Sequence, residues 1–459
     1  MTSSAYDVLD PATLDVVGHA PEHTEADVQH AVQVAQGAAR NWALDREARR
    51  HAMRQVAQLI RNDAPRLGRI LSLEQGKVLT EAIGEFQVAA SLFDYYADLD
   101  WDLSETLPER AGRQLEVQYR PVGLVGTITP WNFPISLLCV KLAPALAAGC
   151  TVISKPSATT PLSTIALVEV MNTVLPAGVV QTRTSSRRTV NVALAGHADV
   201  RKISFTGSTE VGTSVAATAA QSVKRVTLEL GGNDAAVVLD DADLEFTARG
   251  IVGSAFRNAG QVCMAVKRVY VPRHRAAELT EAIAAEAQAL VLGHGVGPGT
   301  SMGPMHNAKQ REIVRELVGS AVGAGARIAT GGGIGCDLPG YFMEPTVIAD
   351  ATPGMSLVDD EQFGSALPIV AYDHLDELLP HVNSGPYGLG ASVWSPDLDH
   401  AREVAFELEA GTVWINQHTV VELDAPFGGW KASGTGRERG RWGLEEYLEP
   451  RTINLRHHA

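Results

Sequence analysis

The sequence predicts an α/β fold with two parallel-sheet lobes. Short apolar runs of strand length alternate with longer helical stretches from residue 122 onward, and this alternation is typical of parallel sheets covered by helices on both faces. A second series of runs follows Gly231, so we expect the lobes to meet near Gly231 and Gly232. The length agrees, because 459 residues correspond to two or three domains of about 150 residues each.

The region before residue 100 is predicted to be mostly helical. Thr24, with Asp27 three residues later, is a capping-box pattern, and apolar residues then recur with helical spacing. Further along, apolar and polar residues alternate over 115–119 until Arg120 and Pro121 end the run. This alternation predicts a strand at a sheet edge. Two more helical patterns cover 53–60 and 81–96.

Apolar runs of strand length mark the main strands of both lobes. No internal repeat, low-complexity tract or long polar linker interrupts the series. The runs of the first lobe cover 122–128, 151–154, 202–205 and 226–230, and those of the second cover 235–239, 268–271, 367–372 and 413–416.

Composition restricts the expected partners to small molecules. The formal charge of −15, without a long run of Lys or Arg, disfavours nucleic acid and anionic membranes. The longest apolar region, 136–153, contains Lys141 and Pro144, which favours a buried helix and strand over a membrane span. The opening residues do not resemble a secretory signal, and the 4 cysteines form no metal-ligand pattern with the 14 histidines. We therefore expect a cytoplasmic protein with reduced thiols and no metal site.

Ligands of open parallel sheets bind beyond the carboxyl ends of the strands. One such place contains Gly207 and Gly212, whose spacing could bring helix N-terminal N–H groups against a phosphate or could simply pack a helix on a strand. Another contains Lys155, a cation for ribose or phosphate unless it is an ordinary surface lysine. The candidate segments are 129–134, 154–156, 205–212, 228–232 and 260–263.

Three residues in these segments suit nucleophilic carbonyl chemistry. Cys263 could be an inert core thiol, but its neighbours Gly260 and Gln261 are loop formers rather than core formers. Glu229 lies in an apolar strand, where an unpaired carboxylate costs several kcal/mol, so it must be paired, protonated or functional. Together with the amide of Asn132, they supply a nucleophile, a base and an oxyanion donor.

Ordered motifs across the chain resemble the aldehyde dehydrogenase superfamily. The separation between Glu229 and Cys263 is also that of the family. The motifs are PWNFP at 130–134, KPS at 155–157, FTGSTEVG at 205–212, LELGG at 228–232, GQVC at 260–263, EQFG at 361–364 and PFGGWKASGTGRERG at 426–440.

The resemblance implies a domain organisation of two Rossmann-like lobes with a small β hairpin for oligomerisation. Residues 1–110 and 122–230 would form the dinucleotide-binding domain, and 231–435 the catalytic domain. The strands at 111–121 and 445–459 would join copies of the chain into a homodimer or homotetramer.

The resemblance also implies catalytic roles. Cys263 would attack the carbonyl carbon of a small-molecule aldehyde, and Asn132 with the Cys263 N–H would hold the oxyanion. Glu229 would activate the water that hydrolyses the thioester left after hydride transfer.

The implied cofactor is NAD or NADP. Ala158 stands where NAD-preferring members often carry a ribose-binding glutamate, so NADP should be tolerated or even preferred. The segment 181–188 departs from the family's valine-rich strand: either its arginines reach a 2′-phosphate, or the segment is irregular and weakens cofactor binding. Ser365 replaces a family proline, which should loosen the turn that presents Glu361. The implied cofactor residues are Trp131, Lys155, Gly207, Ser208, Gly212, Glu361 and Phe363.

The expected substrate is a medium-sized aldehyde, with a semialdehyde among the candidates. Arg257 stands where succinate-semialdehyde dehydrogenases place a carboxylate-binding arginine, but the second arginine of that clamp is Val140 here. A cysteine hydrolase or esterase without hydride transfer, and a non-enzymatic structural protein of the same fold, are the alternatives. The implied substrate residues are Phe133, Val140, Arg257, Val262, Met264 and His418.

Overall fold

The structure is a computed structural model and describes residues 4–456. It begins with a hairpin that the prediction of a mostly helical region did not include, because its two strands are short and have few buried residues. Residues 1–3 and 457–459, which fall in the predicted first and last segments, lie outside the described residues. The strands are β1 (Ala5–Leu9) and β2 (Val16–Pro21), and the helices that follow are α1 (Glu25–Leu44), α2 (Arg46–Gln75) and α3 (Leu79–Asp98).

The capping box at the start of α1 is confirmed. The Thr24 hydroxyl accepts a hydrogen bond from the Asp27 N–H, and the Asp27 carboxylate accepts one from the Thr24 N–H at 2.8 Å. Both bonds satisfy amide donors that a helix start leaves free. The apolar positions of α1 are buried against the first sheet, as the helical spacing predicts.

A three-stranded antiparallel sheet follows α3. It contains β3 (Ser104–Arg110), β4 (Arg113–Pro121) and the last strand of the described chain, β20 (Leu448–Arg456), in the order β20-β4-β3. The prediction of an edge strand at 115–119 is therefore wrong, because β4 pairs on both sides. Its neighbours are mostly exposed strands without strong apolar alternation, and their pairing is not visible in the alternation of β4 itself.

The first large sheet carries the predicted strands of the first lobe. Its parallel strands are β5 (Leu124–Ile128), β6 (Thr151–Lys155), β7 (Val180–Thr182), β8 (Lys202–Thr206) and β9 (Arg225–Glu229), in the order β9-β8-β5-β6-β7. The antiparallel β19 (Gly434–Thr435) pairs with β9. The apolar region 136–153 forms a helix and a strand, as predicted. The helices are α4 (Pro134–Ala148), α5 (Leu162–Met171), α6 (Thr189–Gly196) and α7 (Thr209–Ala220).

The second large sheet has the order β12-β13-β14-β11-β10-β16-β17. It is parallel except where β12 pairs with β13. Its strands are β10 (Asp234–Val238), β11 (Val266–Pro272), β12 (Arg327–Thr330), β13 (Thr346–Ala351), β14 (Ala366–Tyr372), β16 (Gly390–Trp394) and β17 (Thr412–Ile415). A small separate pair is formed by β15 (Tyr387–Gly388) and β18 (Trp430–Lys431). The helices are α8 (Leu244–Ala255), α9 (Ala276–Gln288), α10 (Ala308–Gly323), α11 (Ser356–Asp359), α12 (Leu375–Asn383), α13 (Leu398–Phe406) and α14 (Gly440–Glu445).

The predicted α/β class with two parallel sheets is confirmed. The strands β5, β6, β8 and β10 are buried along their whole length, as expected when helices cover both faces of a sheet. Within the described range 4–456, no helix has the length and apolar character needed to cross a membrane. Each of the two large sheets packs against its own clusters of buried apolar side chains. The loops at the strand ends are therefore attached to a rigid core.

Candidate active site

A cavity of about 270 Å³ lies where loops of the two large sheets meet. We call it the central cavity. The first sheet contributes residues that follow β5, β8 and β9, and the second contributes residues near β11, α10 and β14. Its lining consists of Pro130, Trp131, Asn132, Thr206, Gly207, Ser208, Leu230, Gly231, Cys263, Gln310, Ile313, Glu361 and Phe363.

The loop that carries Cys263, residues 257–263, has an unusual backbone. We call it the nucleophile loop after the role predicted for Cys263. Asn258 and Ala259 have φ angles of 48° and 55°, a left-handed conformation that non-glycine residues rarely adopt. Gly260 follows with φ 74°, and a Cβ there would come within 2.2 Å of the Gly364 carbonyl oxygen. The loop therefore depends on glycine at 260, and it leaves the Cys263 thiol partly exposed in the central cavity.

Asn132 and Cys263 line the same cavity, as expected for an oxyanion donor and a nucleophile. The Asn132 Nδ2 donates to the Gln261 carbonyl oxygen at 3.0 Å, which fixes the amide beside the nucleophile loop. The Asn132 carbonyl accepts hydrogen bonds from Lys77 Nζ at 2.7 Å and from Asn258 Nδ2 at 3.1 Å. One N–H of the Asn132 amide is thus used for orientation, and the other can serve a developing oxyanion.

Glu229 is a buried carboxyl at the end of β9, adjacent to the cavity residues Leu230 and Gly231. Neither Glu229 oxygen has a hydrogen-bond partner within residues 4–456. Burial raises the pKa of Glu229 well above its ordinary value, and the charge of Glu438 raises it further. The nearest counter-charge is Lys141, which is itself paired with Glu438. The surroundings of Glu229 consequently favour its protonated form, one of the outcomes expected from its sequence position.

The Cys263 thiol is also protonated at rest. Burial raises the pKa of Cys263 to about 12, and the carboxylates of Glu361 and Asp234 add to the increase. Lys267 acts in the opposite direction, and burial lowers the pKa of its own amine to about 8. The Lys267 Nζ donates to the Gly260 carbonyl oxygen at 2.6 Å, so this cation is fixed under the nucleophile loop.

The part of the cavity predicted to receive the nucleotide begins at the start of α7, and we call it the nucleotide side. Ser208 caps this helix, its hydroxyl accepting a hydrogen bond from the Val211 N–H at 3.4 Å. A Cβ at Gly207 would meet the Phe205 ring at 2.6 Å, and one at Gly212 would meet Leu230 at 2.4 Å. Both glycines therefore keep the helix start close to the sheet, as an anion site at a helix N-terminus requires.

Glu361 and Phe363 close the opposite side of the cavity. Burial raises the pKa of Glu361 to about 7, and Glu361 Oε1 accepts a hydrogen bond from the Gly232 N–H at 3.2 Å. Phe363 has φ 46°, a strained value for an aromatic residue. The Ser365 hydroxyl donates to the Ala259 carbonyl oxygen at 3.0 Å, which opposes the expected loosening of this turn, and the loosening itself stays a prediction. A proline could not make this bond.

Lys155 and the segment 181–188 lie outside the lining of the central cavity. Burial lowers the pKa of Lys155 to about 8, while the carboxylate of Glu22 opposes this change. Arg183 donates to the carbonyl oxygens of Asp27 at 3.1 Å and Thr182 at 2.8 Å, so its guanidinium is engaged within the fold. Arg187 and Arg188 are exposed and are the arginines of this segment that remain for the predicted 2′-phosphate contact.

The six predicted substrate residues are absent from the lining of the central cavity. The Phe133 ring lies between two cations, 3.6 Å from Lys77 Nζ and 5.4 Å from Arg257 Cζ. The positive charge of Arg257 also lowers the pKa of Glu81, which burial raises. Among the other predicted substrate residues, the side chains of Val140, Val262 and His418 are buried. The His418 Nε2 lies 3.0 Å from the Met264 carbonyl oxygen. The contact of the six residues with the substrate stays a prediction.

Sequence patterns did not identify several residues of the site. Gln310 and Ile313 line the cavity from α10, and no motif marks them because only the packing of α10 brings them there. Lys267 did carry a signal, since a lysine inside an apolar strand is as unexpected as the glutamate at 229. His306 is buried behind Trp131, and a single histidine in a loop has no recognisable pattern.

A model of the aldehyde dehydrogenase family matches residues 1–453. A glutarate-semialdehyde dehydrogenase of Pseudomonas putida is 37% identical over 446 residues, which cover 96% of this chain and 92% of that protein. A succinate-semialdehyde dehydrogenase [NADP(+)] of Escherichia coli is 37% identical, with 97% of this chain and 93% of that protein covered. A geranial dehydrogenase of Castellaniella defragrans is 38% identical, with coverage of 98% and 95%.

Solved structures give the same result. The crystal structure of betaine aldehyde dehydrogenase from Staphylococcus aureus in complex with NAD+ superposes with a TM-score of 0.95 at 34% identity, covering 98% of this chain and 92% of that one. An aldehyde dehydrogenase from Brucella melitensis biovar abortus 2308 superposes with a TM-score of 0.96 at 38% identity, covering 99% and 95%.

Proposed function

The chain belongs to the aldehyde dehydrogenase family, and from that premise we propose that it oxidises a medium-sized aldehyde to the carboxylic acid through a thioester on Cys263, with NAD or NADP as cofactor. The observation that carries this proposal is the convergence of Cys263 and Asn132 in one cavity that also contains Glu361 and Phe363, with Glu229 adjacent to it. These groups come from distant parts of the chain, and together they supply every role that the reaction requires.

The residues around the cavity suit a nicotinamide nucleotide. A Cβ at Gly231 would meet Glu361 Oε2 at 2.4 Å, so the glycine keeps room for that carboxylate at the cavity wall. Ser208 at the start of α7 would receive the pyrophosphate, Glu361 would bind the nicotinamide ribose, and Lys155 would bind the adenosine ribose. When bound, the nucleotide supplies the hydride acceptor.

The first chemical step is attack of the Cys263 sulfur on the carbonyl carbon. The thiol must lose its proton, and the buried Lys267 cation under the loop favours the thiolate. The second N–H of the Asn132 amide and the Cys263 backbone N–H then hold the oxyanion of the thiohemiacetal. These donors act on charge that appears only after attack, so they stabilise the transition state more than the aldehyde. Loss of hydride from the same carbon leaves a thioester on Cys263.

Hydrolysis of the thioester is assigned to Glu229. As a base it must first be ionised, and its raised pKa means that ionisation requires a higher pH than for an ordinary glutamate. The charged groups near Glu229 are the paired Lys141 and Glu438. The Lys141 cation can stabilise the ionised Glu229, and the Glu438 carboxylate can receive a proton. A carboxylate in an apolar surrounding is a strong base, which suits the activation of a water molecule.

Aldehydes with a distal acid group are the substrates that Arg257 favours. It carries no ion pair within 4.0 Å in the described part of the chain, so its charge can still be directed to a substrate. The similarity to the two semialdehyde dehydrogenases supports this class, whereas the buried Val140 supplies no second cation. Replacement of Arg257 by Leu should raise KM for succinate semialdehyde about tenfold more than KM for hexanal, the value of one charge-assisted contact. Equal effects would remove Arg257 from substrate recognition.

A panel of aldehydes with NAD and with NADP tests the proposal as a whole. Accumulation of reduced nicotinamide and carboxylic acid in equal amounts is expected. Ester hydrolysis without any reduced nicotinamide would instead favour the cysteine hydrolase.

We also propose that the sheet of β3, β4 and β20 joins copies of the chain, because its outer strands expose unpaired backbone groups. Light scattering should give a dimer or tetramer. The four free cysteines fit a reducing compartment such as the cytoplasm.

A further inference from the structure

A buried histidine without a role in the chemistry lies behind the wall of the central cavity. The rings of His306 and Trp131 are stacked, with centroids 4.5 Å apart and planes 15° from parallel. Trp131 meets Phe363 edge-on at 5.6 Å. His306 therefore supports the two aromatic residues of the cavity wall from behind.

Both ring nitrogens of His306 have partners. Nδ1 lies 3.1 Å from the Gln75 carbonyl oxygen, which can only accept, so Nδ1 carries the proton. Nε2 is then an acceptor, and the Thr159 hydroxyl, 2.7 Å away, donates to it. Burial lowers the pKa of His306 to about 4, which agrees with a neutral ring.

The backbone and the side chain of His306 serve different parts of the site. The His306 N–H donates to Gln261 Oε1 at 2.8 Å, and the Gln261 carbonyl accepts from the Asn132 amide. The imidazole makes the contacts to Trp131 and Thr159. Substitution of the side chain therefore leaves the backbone attachment to the nucleophile loop in place, and it removes the ring contacts to Trp131 and Thr159 together with the bond from Nδ1 to the Gln75 carbonyl.

Thr159 belongs to the segment that follows Lys155. Its hydroxyl oxygen is 3.1 Å from that of Ser157, and since Thr159 gives its proton to His306, Ser157 donates to Thr159. A chain of hydrogen bonds thus runs from Gln75 through His306 to Ser157 and sets the direction of each hydroxyl. Residue 158, where the family often carries a ribose-binding glutamate, lies inside this segment.

We propose that His306 is a positioning residue for the nicotinamide nucleotide, because its imidazole holds Trp131 and the segment 156–159 in the arrangement that receives the two ends of the cofactor. This inference rests on the proposed function. It concerns nucleotide affinity rather than the reactivity of Cys263, and the two can be measured separately.

In the test, NADH or NADPH is titrated into the full-length protein, and fluorescence gives the dissociation constant of each nucleotide. In His306→Val the dissociation constant should rise about tenfold, the combined loss of a stacked ring and a hydrogen bond. Hydrolysis of p-nitrophenyl acetate without nucleotide, which depends on Cys263 and Glu229, should stay within about twofold in the same variant because the backbone bond to Gln261 is kept.

Conservative variants separate the two contacts. His306→Gln can reach Thr159 but cannot stack, and His306→Phe can stack but cannot accept the bond, so each should recover about half of the lost affinity on a logarithmic scale. His294→Gln is the matched control. His294 is a partly buried histidine whose Nε2 lies 2.8 Å from the Asp10 carboxylate, and its ring pairs with Asp10 rather than with Trp131. It should leave both measurements unchanged.

Two results would overturn the inference: unchanged nucleotide affinity in His306→Val, or equal losses of affinity and ester hydrolysis in every His306 variant. If His306→Val does not fold, Thr159→Val removes the same hydrogen bond from the exposed side and should raise the dissociation constant about fivefold; no change there would be equally decisive. A wild-type protein that binds neither nucleotide would instead contradict the proposed function.

Discussion

Two buried glutamates of the molecule differ only in what surrounds them. Glu74, in α2, has no exposed surface, and its oxygens accept hydrogen bonds from the Leu162 N–H at 2.7 Å and the Ser163 N–H at 2.9 Å, and from the Ser163 hydroxyl. Glu229 is 3% exposed, and neither of its oxygens has a partner within residues 4–456. Glu74 accepts hydrogen bonds from the free N–H groups at the start of α5, whereas Glu229 lies beside a cavity and near the charged pair of Lys141 and Glu438.

The comparison shows how burial alone fails to distinguish structure from function. An unpaired buried carboxyl destabilises the fold by several kcal/mol, so its presence indicates a role that offsets the loss. A buried carboxyl with three donors stabilises the start of a helix. The absence of donors, combined with a cavity, distinguishes Glu229 as the candidate for a functional role.

The largest effect should come from Cys263, the proposed nucleophile. Cys263→Ala should lower dehydrogenase turnover by at least about 10⁴-fold, because no other group can form the thioester. Nucleotide binding should be retained. Cys336→Ala, which removes a partly exposed loop thiol, is the control and should have no effect on turnover. Persistent activity in Cys263→Ala, measured with reduced nicotinamide as the readout, would exclude this residue from the mechanism.

Glu229→Gln should reduce steady-state turnover by about 10²–10⁴-fold, the range for loss of a general base. Rapid mixing should show one equivalent of reduced cofactor per active subunit before the slow phase. The variant should be about as stable as the wild type, because the uncharged acid that burial favours is replaced by an uncharged amide of nearly the same size. A slow first turnover without a burst would mean that Glu229 acts on the thiol instead.

Glu74→Gln should give the opposite pattern. It loses an acceptor for the donors of α5, which should lower the free energy of unfolding by about 1–3 kcal/mol near pH 5. Turnover per folded molecule should change by less than about twofold. Chemical denaturation together with active-site titration separates the two quantities, and a turnover loss as large as that of Glu229→Gln would invalidate the comparison.

The pH dependence of stability sharpens the contrast. Burial raises the pKa of Glu74 from 4.5 to about 7 in the folded protein, so the unfolded chain ionises first as pH rises. Between these values the unfolded state binds fewer protons, and the free energy of unfolding should fall by up to about 3 kcal/mol. Glu74→Gln lacks this decrease, so its deficit relative to the wild type should shrink between pH 5 and pH 8. A constant deficit would show that Glu74 does not titrate there.

Ala158→Glu adds a carboxylate of a third kind, one that is partly exposed and hydrated. It should not change the melting temperature noticeably. Repulsion of a 2′-phosphate should raise KM for NADP about tenfold, equivalent to about 1.4 kcal/mol, while KM for NAD falls. Steady-state kinetics with both nucleotides measures this ratio, and an unchanged ratio would place the 2′-phosphate elsewhere.

Much of the fold follows from local pattern. The strands β5, β6, β8, β9 and β10 could be predicted because they are short, rich in apolar residues and mostly separated by helices. The central position of β4 could not, since pairing with β20 joins segments more than 300 residues apart in a way that alternation does not encode. The three-residue β7 is too short and polar to give a signal.

The site was partly predictable for a related reason. Glu229 and Cys263 are chemically unusual for their local sequence, so the chain alone marks them as candidates, and the resemblance to the family assigns their roles. His306 and Gln310 reach the cavity through tertiary packing, and nothing in their neighbours announces it. Glu74 shows the limit from the other side, because only the structure reveals the donors that make it structural.

The most direct test of the account is the covalent state of Cys263 in Glu229→Gln. After mixing with an aldehyde and NAD or NADP, mass spectrometry should find Cys263 heavier by the mass of the aldehyde less two hydrogen atoms, and only when the nucleotide is present. Reduced nicotinamide formed without any adduct on Cys263, or the same adduct formed without nucleotide, would contradict oxidation on this thiol.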